Sequence, residues 1–250
     1  MPPRAASYWR RARAPRYSLT FALPLLLLYE AAAFALSGDA VAGVRNGADV
    51  LLKTLFVTLG GRRGLLLFDV LLLGIGTVLV FRDRRRNPGP LQLRTFAGMM
   101  AESAAGGLGF GAVAGLLTAL VLQSMPHLSV GPVGSLSLGT QLTVALGAGI
   151  YEELLFRVLL VGSLAFVGRA VLGLGGIPSG IMAAVLGAAV FSAFHYIGPY
   201  GDPFSWPTFT FRLVAGLLFS AMYLLRGFGI TAWTHALYDV FLIFALSMQR

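Results

Sequence analysis

Cysteine is absent from the 250 residues, so neither a disulfide nor a cysteine-ligated metal can form. That absence does not identify a redox compartment. Charge is scarce too, at 12% of residues, with ten Asp and Glu in all and three His. A soluble domain carries roughly 25% charged residues, so this chain cannot build an ordinary water-facing shell. No internal repeat is visible, and no composition break sets off a soluble domain. His-Glu-x-x-His, the strongest zinc signature, does not occur.

What the chain has instead is apolar residues, 57% of the total, and a mean hydropathy of +0.79. Its 32 glycines suit close approach of helices in lipid. The composition therefore predicts an all-α, polytopic transmembrane helix bundle. Net charge is +9, and fourteen of the 19 Lys and Arg lie in residues 1–94. They cluster at Arg4, Arg10, Arg11, Arg13 and Arg16, and again at Arg82, Arg84, Arg85, Arg86 and Arg94. Both clusters flank apolar spans, as the positive-inside rule requires, whereas a polynucleotide partner would want a basic face on a soluble domain. The expectation is an integral protein of the plasma (inner) membrane with a cytoplasmic N-terminus, in contact with lipid and not with nucleic acid.

Residues 1–17 read as a basic, unstructured cytoplasmic tail, 18–135 as N-terminal transmembrane helices, and 136–250 as a second helix bundle. Ser18–Leu36 opens the apolar series. Ala33-Phe34-Ala35 resembles a signal cleavage site, but the later spans favour an uncleaved first helix. Asp49–Leu59 is shorter than the roughly 20 residues a span needs and reads as an interfacial or re-entrant helix. Further spans are expected at Gly64–Phe81, Thr95–Leu122, Leu138–Val167, Ser179–Tyr196, Thr208–Leu225 and Ile230–Met248. That makes about seven, with six or eight as alternatives.

The second half carries its rare ionisable groups in short runs. Gly149-Ile150-Tyr151-Glu152-Glu153-Leu154-Leu155-Phe156-Arg157 puts two carboxylates and an arginine into an apolar helix, where a charge costs several kcal/mol and marks a functional site by default. Glu153 and Arg157, four apart, share a helix face and read as a structural pair. Glu152 sits about 100° round the helix without a charged partner at that spacing, and reads as the chemically available group. His195 closes Phe191-Ser192-Ala193-Phe194-His195, and His235 and Asp239 lie four apart. Taken singly, each is more often a packing contact; together, a glutamate, two histidines and an aspartate are what water activation needs. His127 lies in a loop without further signal, and Glu30, Asp69 and Glu102 receive no role.

Glu152-Glu153-x-x-x-Arg157, Phe191-x-x-x-His195 and His235-x-x-x-Asp239, about 40 residues apart in turn, resemble the three motifs of the CPBP intramembrane endopeptidases. That family takes in the CAAX prenyl endopeptidases and bacterial Abi-type proteins. The resemblance covers about residues 140–245, and the third motif has Asp239 where Asn is frequent. It implies hydrolysis of a peptide bond in a protein or peptide at the membrane. Glu152 would be the general base, and His195 would hold the water or shuttle its proton. His235 and Asp239 would orient the substrate carbonyl and stabilise the oxyanion, with Glu153, Arg157 and Phe191 in support. No cofactor is favoured.

Other readings remain at this stage. Glu152, His195 and His235 also make a two-His, one-carboxylate set, so a zinc protease is the runner-up mechanism. A proton-coupled transporter would want broken helices in two corresponding halves, which the sequence does not show. A non-catalytic scaffold or immunity protein would keep the fold without turnover. Phe204, Trp206, Phe209 and Phe211 read as an interfacial aromatic belt rather than an entrance to the site. Geometry adds a last expectation: Glu152 lies mid-helix, His195 at a helix end and His235 two turns into its helix. Straight spans would not bring them to one depth, so a kinked or short helix is expected nearby, with the motif side chains within about 10 Å.

Overall fold

The computed structural model describes residues 7–37, 45–123, 136–198 and 201–248, which are helical with no strand among them. The helices are α1 (Tyr8–Arg13), α2 (Pro15–Ser37), α3 (Gly47–Gly60), α4 (Arg62–Arg86) and α5 (Leu93–Leu122). Then come α6 (Leu138–Gly147), a π-helical segment (Ala148–Val161), α7 (Gly162–Ala170), α8 (Gly176–Phe194), α9 (Trp206–Arg226) and α10 (Phe228–Ser247). Six of them, α2, α4, α5, α8, α9 and α10, are long and apolar enough to cross a membrane. The seventh expected span is the continuous run from α6 through the π segment to α7, interrupted in its helix type rather than in its course. His127 and the loop prolines Pro126 and Pro132 lie outside the described residues.

Helix α10 is the hub, packing on α2, α5, α6, α9 and the π segment. The main apolar core joins Leu25, Tyr29 and Ala33 of α2, Ala48 and Leu52 of α3, Ile150 and Tyr151 of the π segment, and Ala232 and Ala236 of α10. Gly149 makes that packing close: a Cβ there would lie 2.5 Å from the Ala232 carbonyl oxygen and 2.9 Å from the Ala236 nitrogen. Backbone cannot yield as a side chain can, so Gly149→Ala should part the two helices. The expected loss is about 1–3 kcal/mol of stability, read as a lower midpoint of thermal unfolding in detergent.

The basic N-terminal segment departs from expectation. From Tyr8 onward it is helical, and Ala12, Arg16 and Tyr17 are buried. The basic residues find partners far along the chain, which sequence proximity does not reveal. Arg16 Nε stands 3.5 Å from Asp83 at the end of α4. Arg226 at the end of α9 reaches Glu102 of α5 (Nη2–Oε2 2.7 Å) and stacks 3.7 Å over the Trp9 ring. Tyr8 also donates to Glu102 at 2.8 Å; burial and that carboxylate push its hydroxyl up to about 12, so it stays a donor. The basic ends of α2, α4 and α9 thus gather at one end of the bundle.

Candidate active site

The π segment presents the carboxylates. In a π-helix each amide bonds five residues back and the turn is wider than in an α-helix. The segment packs on α3, α6, α8 and α10, which cover it from several sides. Ala148, Gly149, Ile150, Tyr151, Glu152 and Glu153 are all buried, with Phe156 and Arg157. The expected kink is therefore a widening of the helix, without proline.

Glu153 and Arg157 form the expected pair, with Nε 3.2 Å from Oε2 and both side chains at 0% exposure. The guanidinium has no hydrogen-bond acceptor among the described residues, and its cation is held between rings, 4.5 Å from the centre of Phe191 and 5.7 Å from Phe219. Glu153 does more than the sequence indicates. Its other oxygen, Oε1, is 2.7 Å from His235 Nδ1. A carboxylate only accepts, so Nδ1–H donates and Nε2 faces away from Glu153. Phe219 stacks on the His235 ring at 4.3 Å and 21°, fixing its plane. Asp239, 27% exposed, lies 3.7 Å from Nε2, near enough for charge but beyond hydrogen-bond distance.

His195 caps the end of α8, where its Nδ1 is 2.9 Å from the Phe191 carbonyl oxygen. A carbonyl cannot donate, so Nδ1 carries the proton and a neutral ring turns a bare Nε2 outward. The loop beyond is tied down by the Asp202 N–H, which donates to the His195 carbonyl at 2.9 Å, and by an Asp202–Arg212 ion pair. Phe191 packs edge-on against His195 at 4.9 Å and against His235 at 6.4 Å, so one ring spaces the two imidazoles. Phe204 and Phe209 gather on Tyr196 just after His195, with Trp206 against both, while Phe211 leaves that group to pack on the Phe110–Phe219 cluster.

Glu152 is buried, at 9% exposure. Its hydrogen-bond partner is one the sequence did not suggest: Asn46 Nδ2 donates to Oε1 at 2.8 Å across 106 residues of chain. The short helix expected near the site is α3, whose first turn Asn46 caps. Residues of the three motifs adjoin through Glu153 on His235 and through Phe191, which packs on both His195 and His235.

The comparisons bear on this same half. Residues 134–241, somewhat under half of the chain, match the family model of the type II CAAX prenyl endopeptidase Rce1-like proteins. Over that stretch the chain is similar to the CAAX endopeptidases. No curated protein and no solved structure matches the chain. The family segment spans Glu152, His195, His235 and Asp239, whereas Asn46 lies outside it.

Among the described residues no three His, Asp or Glu side chains are grouped to hold an ion. Both Nδ1 atoms are committed, to Phe191 and to Glu153, so any ligand or proton exchanged at these rings is met by Nε2. The site offers a buried carboxylate at Glu152, an imidazole at His195 and an imidazole clamped by Glu153 at His235. That arrangement can accept a proton at one point and meet developing negative charge at another. Phe219 and Asn46 escaped sequence reading because neither lies in a motif or at helical spacing from one.

Proposed function

We propose that the protein is a glutamate-type intramembrane endopeptidase, cleaving a peptide bond in a protein or peptide held at the membrane. The observation that carries this reading is that Glu153, next to Glu152, holds His235 while Phe191 packs on both His235 and His195, all inside a stretch similar to proteases. Glu152 takes a proton from water as the hydroxide attacks the scissile carbonyl. His195 Nε2 keeps the water oriented and relays its proton to the leaving amine. His235, held by Glu153 and facing the Asp239 charge, meets the oxyanion as an imidazolium. Electrostatic donors of this kind act most strongly where water is excluded. The basic end of the bundle faces the cytoplasm, following the positive-inside rule.

The family's printed name points to prenylated protein C-termini, and no residue described here makes a prenyl pocket. The substrate class is therefore kept at membrane-associated proteins and peptides. The test is hydrolysis of a quenched peptide library, with and without a prenyl group, by purified protein in detergent. Cleavage is expected to survive a strong chelator and to fall about 100-fold or more in His195→Ala, the scale of a lost proton-transfer group. Cleavage abolished by chelation and restored by zinc would instead make Glu152, His195 and His235 metal ligands. No cleavage of any peptide would favour a scaffold.

A further inference from the structure

Asn46 satisfies its hydrogen-bonding capacity in a way that leaves its amide one orientation. Its Oδ1 accepts from the Ala48 N–H at 2.8 Å, capping α3, so the amide must turn Nδ2 away from that helix. Nδ2 meets Glu152 Oε1 at 2.8 Å. Its backbone N–H donates to the Tyr29 hydroxyl at 3.1 Å, and Tyr29 donates in turn to Asp49 at 2.6 Å. Asp49, fully buried, is held by Arg45 at 2.7 Å and Lys53 at 2.9 Å. Gly147 makes the approach physically open, since a Cβ there would lie 2.6 Å from Asn46 Cβ and 2.5 Å from the Tyr29 ring. Asn46 itself is 3% exposed.

We infer that Asn46 is a positioning residue: its side-chain N–H holds Oε1 of Glu152 and leaves Oε2 as the oxygen that receives the water's proton. The Asn46 hydrogen bond ends on Oε1 and not on Oε2. The first half of the chain, outside the family match, thus completes the site through α3 and its buried ion cluster. This inference rests on the proposed role of Glu152 as general base.

Two roles of Asn46 can be separated because its cap and its donor are different atoms. Ser and Asp cap a helix about as well as Asn, whereas Ala does not. Neither Ser nor Asp offers the N–H to Glu152: the Ser hydroxyl is committed to the cap, and Asp presents an acceptor. Wild type, Asn46→Ser, Asn46→Asp and Asn46→Ala would be compared for kcat, KM and thermal midpoint in detergent. The carboxylate band of Glu152 would be taken from the infrared difference against Glu152→Gln in each background. Expected for Asn46→Ser is a kcat lower by about 10- to 100-fold, the scale of a hydrogen bond to a charged group. KM should stay within about twofold, since substrate contacts are untouched. The thermal midpoint should be retained and the Glu152 band displaced, with Asn46→Asp losing more kcat than Asn46→Ser. If Ser and Asp match wild type in kcat and only Ala falls, Asn46 is a helix cap and the inference is overturned. A wild type without hydrolysis would defeat the endopeptidase reading instead. The band then decides alone: displaced in Asn46→Ser it supports the positioning role, and unmoved it overturns it.

Discussion

Glu152→Gln is expected to lower kcat by about 10²- to 10⁴-fold, the contribution of a positioned general base, while leaving the protein folded. Gln matches Glu in shape, and its Oε1 can still accept the Asn46 N–H that now ends on Glu152 Oε1 at 2.8 Å. What it loses is the basic oxygen. The adjacent carboxylate supplies an internal control. Glu153→Gln keeps an acceptor for His235 Nδ1 but removes the charge opposite Arg157, so it should cost more stability and less of the chemical step. Peptide turnover and thermal unfolding measured side by side should give opposite rankings for the two neighbours. Equal losses of turnover without unfolding would mean that the two glutamates share the base role.

The largest effect on stability is expected at Arg157. Breaking a fully buried ion pair by removing one partner costs about 3–5 kcal/mol, because the other charge is left in an apolar medium. Arg157→Met would leave Glu153 Oε2 facing Phe191 and Phe219, which had held the cation. A drop in thermal midpoint on the order of 10 °C is expected in detergent. Glu153→Gln combined with Arg157→Met should recover much of it, since both charges then go together and Gln still serves His235. The double-mutant cycle checks this: a coupling below about 0.5 kcal/mol would mean the pair is not interdependent.

The parts of the site that sequence made legible are those held by local geometry. Glu153 and Arg157 meet because four residues of helix bring side chains onto one face. His235 and Asp239 share the same spacing and come within 3.7 Å, a charge contact beyond hydrogen-bond distance. The positions of the spans followed from apolar runs bounded by Arg, Pro and Gly, and those bounds match the helices closely. The N-terminal basic segment did not follow, because a run of arginines looks solvated until Asp83 and Glu102 are known to lie beside it.

Composition by itself indicated an all-helical membrane protein, and motif order a resemblance to CAAX-type proteases over about residues 140–245, where the family model matches 134–241. These are properties of short-range periodicity and residue type, which survive without knowing how helices pack. Tertiary structure alone decided which oxygen of Glu152 is held, that Glu153 orients His235, and that Phe219 sets the plane of that ring. It also decided that a helix read as α is π-wound where the carboxylates sit. The reason is physical: those contacts join residues about 16 to 106 apart on different helices, and their formation depends on which helix faces lie together, not on any local preference of the chain.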